Sequence, residues 1–188
     1  MTSIEPVVLV PHPEHSRMID ERPVVVDERS RIRDFEGDLI VGRHGLSAIG
    51  TLVDRSTQCL RLVHLPDARH GEATAAASSA AVSDLPMPAR KTLTWDQGAE
   101  MAGHDLIAHL FPEGIYFAHP GSPWQRGTNE NTNGLVRQFF PKGTDLAGIP
   151  NHRFTKVQQL LNDRPRKSLG YRTPNEVLAS RLKVAIET

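Results

Sequence analysis

Three carboxylates, Asp38, Asp96 and Glu130, lie at chain positions where they could do chemistry. Asp38 is inside an apolar strand-like run, where a buried carboxylate is costly unless a partner balances its charge. Asp96 follows a short strand-like run, and strand ends present side chains to a crevice. Glu130 falls in the first turn of a predicted helix, where the helix dipole favours negative charge. Three converging carboxylates could bind one or two hard divalent cations, which bridge phosphate oxygens.

Each carboxylate also has an ordinary structural interpretation. An aspartate at a strand end usually serves as a cap or turn residue, and a first-turn glutamate usually balances the helix dipole. The combination is more informative than its members, because all three fall where an α/β sheet of this order gathers its active site. From the residues alone, the metal site and the structural roles both stay open.

The elements that carry these residues follow from hydrophobic patterning. Strand-like runs cover five segments: 35–41, 47–54, 58–64, 92–95 and 115–117. Helical patterns cover five more: about 71–83, 104–110, 128–140, 154–163 and 174–183. Antiparallel strands followed by alternating helix and strand predict a mixed α/β fold. In the first strand, alternation places Glu36, Asp38 and Ile40 on one face.

The charges of this 188-residue chain balance at 22 basic and 22 acidic side chains but are unevenly distributed. Residues 120–172 hold nine basic and three acidic side chains, whereas residues 1–40 hold five and nine. This uneven charge distribution would suit a site that binds metal ions and a polyanion. A solvated basic face without a partner explains it equally well. A single cysteine, Cys59, excludes an internal disulfide and favours the cytoplasm. No apolar run approaches the ~20 residues of a membrane span, so we expect no membrane partner.

Three segments of the chain are specific enough to compare with known families: SPWQRGTNENTNG at 122–134, FEGDLI at 35–40 and KTLTWDQG at 91–98. They resemble the catalytic domain of insertion sequence thirty family transposases, and the segment at 122–134 is the most specific. Shorter matches extend the resemblance over roughly Ile19 to Leu178, at 47–53, 140–145, 162–167 and 173–178. The resemblance implies a ribonuclease H-like fold of the retroviral integrase type, with a mixed five-stranded sheet flanked by helices.

The resemblance also implies an Asp-Asp-Glu metal site made of Asp38, Asp96 and Glu130, with 33 residues between the last two. Such a polynucleotidyl transferase cleaves DNA at the element ends with water, and the freed 3′-hydroxyl then attacks target DNA. Two Mg²⁺ ions, or Mn²⁺, would activate the nucleophile and stabilise the leaving oxygen. Asp38 would bridge both ions, while Asp96 and Glu130 would each hold one. The implied partners are DNA of the element ends and the target, and further copies of the chain on that DNA.

The chain departs from the family pattern near its beginning. Phe35 stands where the family usually has tryptophan, and Arg33-Asp34 replace a common Gly-His pair. Family members normally carry an N-terminal helix-turn-helix region that recognises element ends, but residues 1–34 contain prolines and no sustained period. We therefore expect an extended arm over 1–34, an integrase-like catalytic domain over 35–183, a tail over 184–188, and a separate end-recognition chain.

Two alternative functions follow from the expected lack of a recognition region. One is a truncated transposase fragment that binds DNA or the full-length transposase without catalysing transposition. The other is a stand-alone nuclease that hydrolyses DNA without joining it. The intact set of Asp38, Asp96 and Glu130 favours a catalytic role over decay.

Donor-rich residues around Glu130 are predicted to hold DNA near the metal site, since amides and arginine reach phosphates and base edges and tryptophan stacks on bases. They are Trp124, Gln125, Arg126, Asn129, Asn131 and Asn133. Five basic residues further along are candidate phosphate contacts: Arg137, Lys142, Arg164, Arg166 and Lys167. In the ordinary interpretation, the asparagines satisfy loop and cap backbone groups, and Arg166 and Lys167 lie on a solvated turn.

Overall fold

A six-stranded mixed sheet forms the centre of the fold, with the strand order β1-β6-β5-β2-β3-β4. The computed structural model describes residues 17–68, 71–83, 85, 89–96, 103–122, 125 and 127–187. The strands are β1 (Arg17–Met18), β2 (Asp34–Val41), β3 (Ala48–Asp54), β4 (Leu60–Leu65), β5 (Thr92–Trp95) and β6 (Gly114–Phe117). Strands β2, β3 and β4 pair antiparallel, whereas β1, β6, β5 and β2 pair in parallel. The predicted mixed α/β class is confirmed, with one strand more than expected.

In the described residues, five α-helices and several short 3₁₀ turns accompany the sheet. The helices are α1 (Val24–Asp27), α2 (Gly71–Val82), α3 (Gly127–Val136), α4 (Asn151–Asn162) and α5 (Pro174–Glu187). The 3₁₀ turns are Ile19–Glu21, Arg43–Gly45, His104–Leu106, Ala108–Leu110 and Lys167–Leu169. Within the described ranges, no helix has the length and apolar character needed to cross a membrane.

Two predicted helices differ from the structure. The segment 104–110 forms two 3₁₀ turns, whose three-residue period buries His104, Ile107 and Leu110. Helix α3 ends before the predicted residue 140, because Pro141 disfavours the α conformation of the residue before it. After the helix the chain forms turns with hydrogen bonds between residues three apart, such as the one from the Phe139 N–H to the Val136 carbonyl (3.0 Å).

Residues 17–33 belong to the fold, which corrects the prediction of an extended arm for this part of 1–34. Strand β1 pairs with β6, and Val26 in α1 is fully buried. Patterning misses this packing because a two-residue strand has no period to detect. The folded domain therefore begins before residue 35, while residues 1–16 lie outside the described part. At the other end, α5 continues through the predicted tail to Glu187.

The sheet separates two hydrophobic cores. One core joins Phe35, Trp95 and their neighbours on the sheet to α2 and the turns at 104–110. The other joins Ile40 and its neighbours to α3 and α4. Strand β2 thus contributes alternate residues to opposite faces, as predicted. Glu36 and Asp38 therefore share the α3 face with Ile40.

Gly37 leaves the space in which Trp95 packs against β2. A Cβ atom at residue 37 would lie 1.8 Å from Cζ3 and 1.9 Å from Cε3 of Trp95. The indole is fully buried, so it has no room to withdraw. The glycine at position 37, between Glu36 and Asp38, thus allows Trp95 to pack against β2. Trp95 directly precedes Asp96.

We predict that Gly37→Ala destabilises the fold by about 3 kcal/mol, because the new methyl group and the Trp95 indole cannot share one space. Gly50→Ala on β3 is the matched control, since its Cβ would lie 3.4 Å from the Val63 Cβ, an ordinary contact. Urea denaturation followed by circular dichroism measures both free energies of unfolding. Equal stability of the two variants would contradict the packing role of Gly37.

Candidate active site

Two of the predicted carboxylates, Asp38 and Asp96, belong to neighbouring parallel strands or follow one directly. Strand β2 pairs with β5 so that Glu36 lies opposite Thr94. Continuing this register by two residues sets Asp38 beside Asp96, the first residue after β5. Both aspartates are half-buried, and neighbouring strands are about 4.8 Å apart. The pairing of β2 with β5 thus puts Asp38 on one strand and Asp96 directly after the neighbouring strand.

Helix α3 lies along β2, and the helix and the residue after it are bonded to the strand at three points. The Asn129 N–H donates to Glu36 Oε2 (2.9 Å), Asn133 Nδ2 donates to Asp38 Oδ2 (2.7 Å), and Arg137 Nη2, directly after the helix, donates to the Val41 carbonyl (3.1 Å). From Asn129 to Asn133 the helix rises about 6 Å, and from Glu36 to Asp38 the strand rises about 6.6 Å, so the first two contacts keep pace. The helix therefore runs in the same direction as β2.

Glu130 lies on the first turn of α3, and its side chain is exposed. It directly follows Asn129, whose backbone is bonded to Glu36, and it precedes Asn133 by about one turn. Helix α3 therefore carries Glu130 along β2 between the contacts made to Glu36 and Asp38.

The three carboxylates match a hard divalent cation in their chemistry, because such cations prefer oxygen ligands. Across the part of the chain that the structure describes, no three acidic, histidine or cysteine side chains already stand at metal-ligand spacing. Carboxylates repel one another, and a cation is what makes their close approach favourable. The placement on two adjacent strands and one helix leaves Asp38, Asp96 and Glu130 as the candidate ligands.

Hydrogen bonds orient the Asp38 carboxylate. Its Oδ1 accepts from the Leu39 N–H (2.9 Å), and its Oδ2 accepts from Asn133. The Asn133 Oδ1 lies 3.1 Å from the hydroxyl of Thr51, which is fully buried opposite Asp38 on β3. The same hydroxyl lies 3.1 Å from Asn129 Oδ1. Asn133, held by Thr51, thus fixes one side of the carboxylate, as outer partners of metal ligands do.

Glu36 and Arg55 form a buried ion pair next to this row of contacts. Glu36 is fully buried and Arg55 is 5% exposed, and the Arg55 Nη1 donates to Glu36 Oε1. Burial lowers the pKa of Arg55 from its ordinary value, while the negative charge of Glu36 acts in the opposite direction. Neither residue is among those predicted from the sequence. Glu36 lies in an apolar strand, two residues before Asp38, and a buried carboxylate there needs a partner of opposite charge or a hydrogen-bond donor. This is the sequence feature that could have identified it.

The predicted DNA contacts fall in different surroundings. Trp124 and Arg126 lie outside the described residues. Gln125 is half-buried, and its Oε1 accepts from the His119 N–H (2.9 Å). Arg137 is half-buried in the turn directly after α3. Four of the predicted side chains are exposed: Asn131, Lys142, Arg164 and Lys167.

Two predicted DNA contacts are buried, and their prediction is corrected. Asn129 has no exposed surface, because it lies on the face of α3 that packs against Thr51. Arg166 is 7% exposed, and its Nη2 donates to the Leu161 carbonyl (3.1 Å). Burial, with a smaller contribution from Arg164, lowers the pKa of its guanidinium. Asn129 and Arg166 therefore serve the fold rather than a DNA surface.

Curated relatives of the chain are transposases, although no protein-family model matches it. The transposase of element IS1086 from Cupriavidus metallidurans is 45% identical over 161 residues, and that of IS30A from Escherichia coli is 44% identical over 160. The transposase of IS4351 from Bacteroides fragilis is 41% identical over 164 residues. These matches cover 86%, 85% and 84% of this chain but 47%, 41% and 48% of those proteins. The chain thus spans less than half the length of these relatives.

A solved structure similar to this fold is the integrase catalytic core domain of HTLV-2 in complex with magnesium. The similarity covers 78% of this chain and 95% of that domain, with a TM-score of 0.54 and 15% sequence identity. At this identity the likeness shows the fold alone. The expected ribonuclease H-like fold of the retroviral integrase type is therefore confirmed.

We predict that Asn133→Ala lowers the free energy of unfolding by about 1.5–3 kcal/mol, the range for a hydrogen bond to a charged group. Asn131→Ala is the matched control, because Asn131 lies two residues away on the same helix with an exposed side chain. Both changes alter helix propensity equally, so the difference between their urea midpoints isolates the bond to Asp38. Identical midpoints would rule out a stabilising bond from Asn133.

Proposed function

The homologues of this chain are transposases of the IS30 family, and from that premise we propose that it is a transposase catalytic core that cleaves and joins DNA. The observation that carries the proposal is the pairing of the elements that hold the three candidate residues. Strand β2, which holds Asp38, pairs with β5, which Asp96 directly follows, and α3, which holds Glu130, is bonded to β2. The substrates are the element ends and target DNA, and the working assembly contains several copies of the chain.

Asp38, Asp96 and Glu130 would hold Mg²⁺ or Mn²⁺, with Asp38 shared between two ions and the other two carboxylates each on one. The magnesium bound by the integrase core of similar fold supports this choice. When bound, the ions would activate the attacking oxygen and stabilise the leaving oxygen of an in-line displacement. Asn133 holds Asp38 Oδ2 and so keeps its orientation for that role.

The proposed reaction has two displacements at phosphorus. In the first, a water oxygen attacks a phosphodiester at the element end, a new P–O bond forms, and the P–O3′ bond breaks to release a 3′-hydroxyl. In the second, that 3′-hydroxyl attacks a target phosphodiester, and the oxygen of the broken target bond leaves with a proton. The first step hydrolyses one phosphodiester, and the second exchanges a target phosphodiester for the new joint, so the joining step needs no external energy source.

DNA would be held by side chains near Glu130 and by the basic C-terminal third. In this proposal the exposed residues Asn131, Lys142, Arg164 and Lys167 would contact phosphates. We keep Gln125 and Arg137 in this proposal, together with Trp124 and Arg126 from the adjoining SPWQRG run. Asn133 is not included among the DNA contacts, because it donates a hydrogen bond to Asp38. We also propose that a separate chain recognises the element ends.

We predict that the purified protein joins pre-cleaved element-end DNA to a target plasmid in the presence of Mg²⁺ or Mn²⁺. Asp96→Asn should lower joining by at least about 100-fold, because a metal site contributes several kcal/mol of transition-state stabilisation. Asp105→Asn, which changes an exposed aspartate on the turn at 104–106, is the matched control and should keep full activity. Joined and nicked products are scored separately on a gel.

The outcomes separate the candidate functions. Joined products that depend on Asp96 support the transposase core. Nicking without joining would point to a nuclease that only hydrolyses. DNA binding by a folded protein with neither product would favour the non-catalytic fragment and would overturn the proposal.

A further inference from the structure

We propose that Glu36 is a positioning residue: with Arg55, it sets the register of α3 on β2 and thereby the place of Glu130 relative to Asp38. The inference rests on the proposed function, because this register matters to chemistry only if Glu130 and Asp38 share a metal site. Glu36 lies outside the Asp-Asp-Glu set, and it touches the helix that carries the glutamate through a backbone atom.

The contact between Glu36 and α3 is made at the part of the helix that most needs an acceptor. The first four N–H groups of a helix lack intrahelical partners and carry the positive end of its dipole. Asn129 is the third residue of α3, and its N–H donates to Glu36 Oε2 (2.9 Å). Thr128 lies inside the helix, and its Oγ1 has no hydrogen-bond partner among the described residues. The acceptor is therefore supplied by β2.

Arg55 prevents Glu36 from turning away from the helix. The guanidinium occupies Glu36 Oε1, which leaves Oε2 directed at Asn129. Arg55 is itself held, because its Nε donates to the Val26 carbonyl (3.1 Å) and its Nη2 lies 3.7 Å from Asp27 Oδ1. Both carboxylate oxygens of a fully buried side chain are thus engaged by groups that cannot move independently. Removing one partner would leave the other buried and unsatisfied.

The register of α3 depends on Glu36 more than on its other contacts with β2. Arg137 reaches a strand carbonyl with a long flexible side chain. Asn133 reaches Asp38, a carboxylate that metal ions would also engage. Among the described residues, the Asn129 contact is the one that joins the helix backbone to a fully buried side chain of β2. Glu130 follows that backbone bond by one residue, so a shift there moves Glu130 directly.

Asp34 provides a matched control on the same strand and the same face. It is 2% exposed, accepts two bonds from Arg31 (2.7 and 2.9 Å), and accepts one from the Thr92 hydroxyl (2.7 Å). None of its hydrogen bonds among the described residues involves α3. Asp34→Asn therefore removes a comparable buried charge from β2 without touching the helix.

The test compares Glu36→Gln with Asp34→Asn in the full chain by two measurements. Glutamine offers one oxygen and one amino group, so it can serve Arg55 or Asn129 but not both. We expect Glu36→Gln to speed hydrogen exchange in residues 127–133 and to weaken Mn²⁺ binding, measured by calorimetry, by about tenfold or more. Asp34→Asn should leave both unchanged. Native-like exchange at 127–133 in Glu36→Gln, or equal changes in both variants, would overturn the proposal.

A double variant keeps the test decisive if Glu36→Gln folds poorly. In Glu36→Gln/Arg55→Met, no buried guanidinium competes for the glutamine oxygen, so the bond to Asn129 can form again. Slow exchange at 127–133 and Mn²⁺ affinity should both return toward the native values. A double variant that folds but keeps fast exchange at 127–133 would contradict the assignment.

Failure of the proposed function would look different from failure of this inference. If the native protein binds Mn²⁺ no better than its Asp96→Asn variant, the metal site is wrong. The exchange of residues 127–133 would still report whether Glu36 fixes α3. If Glu36→Gln speeds exchange at 127–133 but the native protein does not bind Mn²⁺, the proposed function is refuted. If the native protein binds Mn²⁺ but Glu36→Gln leaves exchange at 127–133 unchanged, the role of Glu36 is refuted.

Discussion

A helix can follow a strand over several turns only if the two backbones advance at the same rate. Four residues of α3 rise about 6 Å and two residues of β2 about 6.6 Å, which allows donors at every fourth helical position to meet successive acceptors on the strand. Asn129 and Asn133 use this match to reach Glu36 and Asp38. The placement of Glu130 depends on it, because Glu130 directly follows Asn129 on the helix and its side chain is exposed.

The opposite face of β2 supplies the second constraint. Phe35 and Trp95 pack there with α2, and Gly37 yields the space that the indole fills. One short stretch of chain therefore alternates between apolar packing on one side and a row of carboxylates, Asp34, Glu36 and Asp38, on the other. Such a row is stable only because each member has hydrogen-bond donors close by. The same need for partners explains why an ion pair, Glu36 with Arg55, lies beside the candidate site.

Much of the fold and the three candidate ligands could be predicted from the sequence, because strand alternation, turn residues and a helix start are local signals. Asp38, Asp96 and Glu130 each stand next to such a signal. Asn129 and Arg166 were misassigned to a DNA surface because which side of a helix or turn is buried depends on its tertiary partners. Thr51 and Arg55 escaped prediction for the same reason, since their roles arise from residues distant in sequence. Strand β1 is too short to show a period, and its place is set by pairing with β6.

The central claim is that Asp38, Asp96 and Glu130 together bind divalent cations. Anomalous diffraction from crystals of the protein grown with saturating Mn²⁺ tests it directly, because manganese scatters anomalously whereas protein oxygen does not. We predict one or two anomalous peaks with oxygen ligands from all three side chains at about 2.1 Å. Manganese bound elsewhere, or bound without Glu130 while α3 keeps its contacts to Glu36 and Asp38, would contradict the claim.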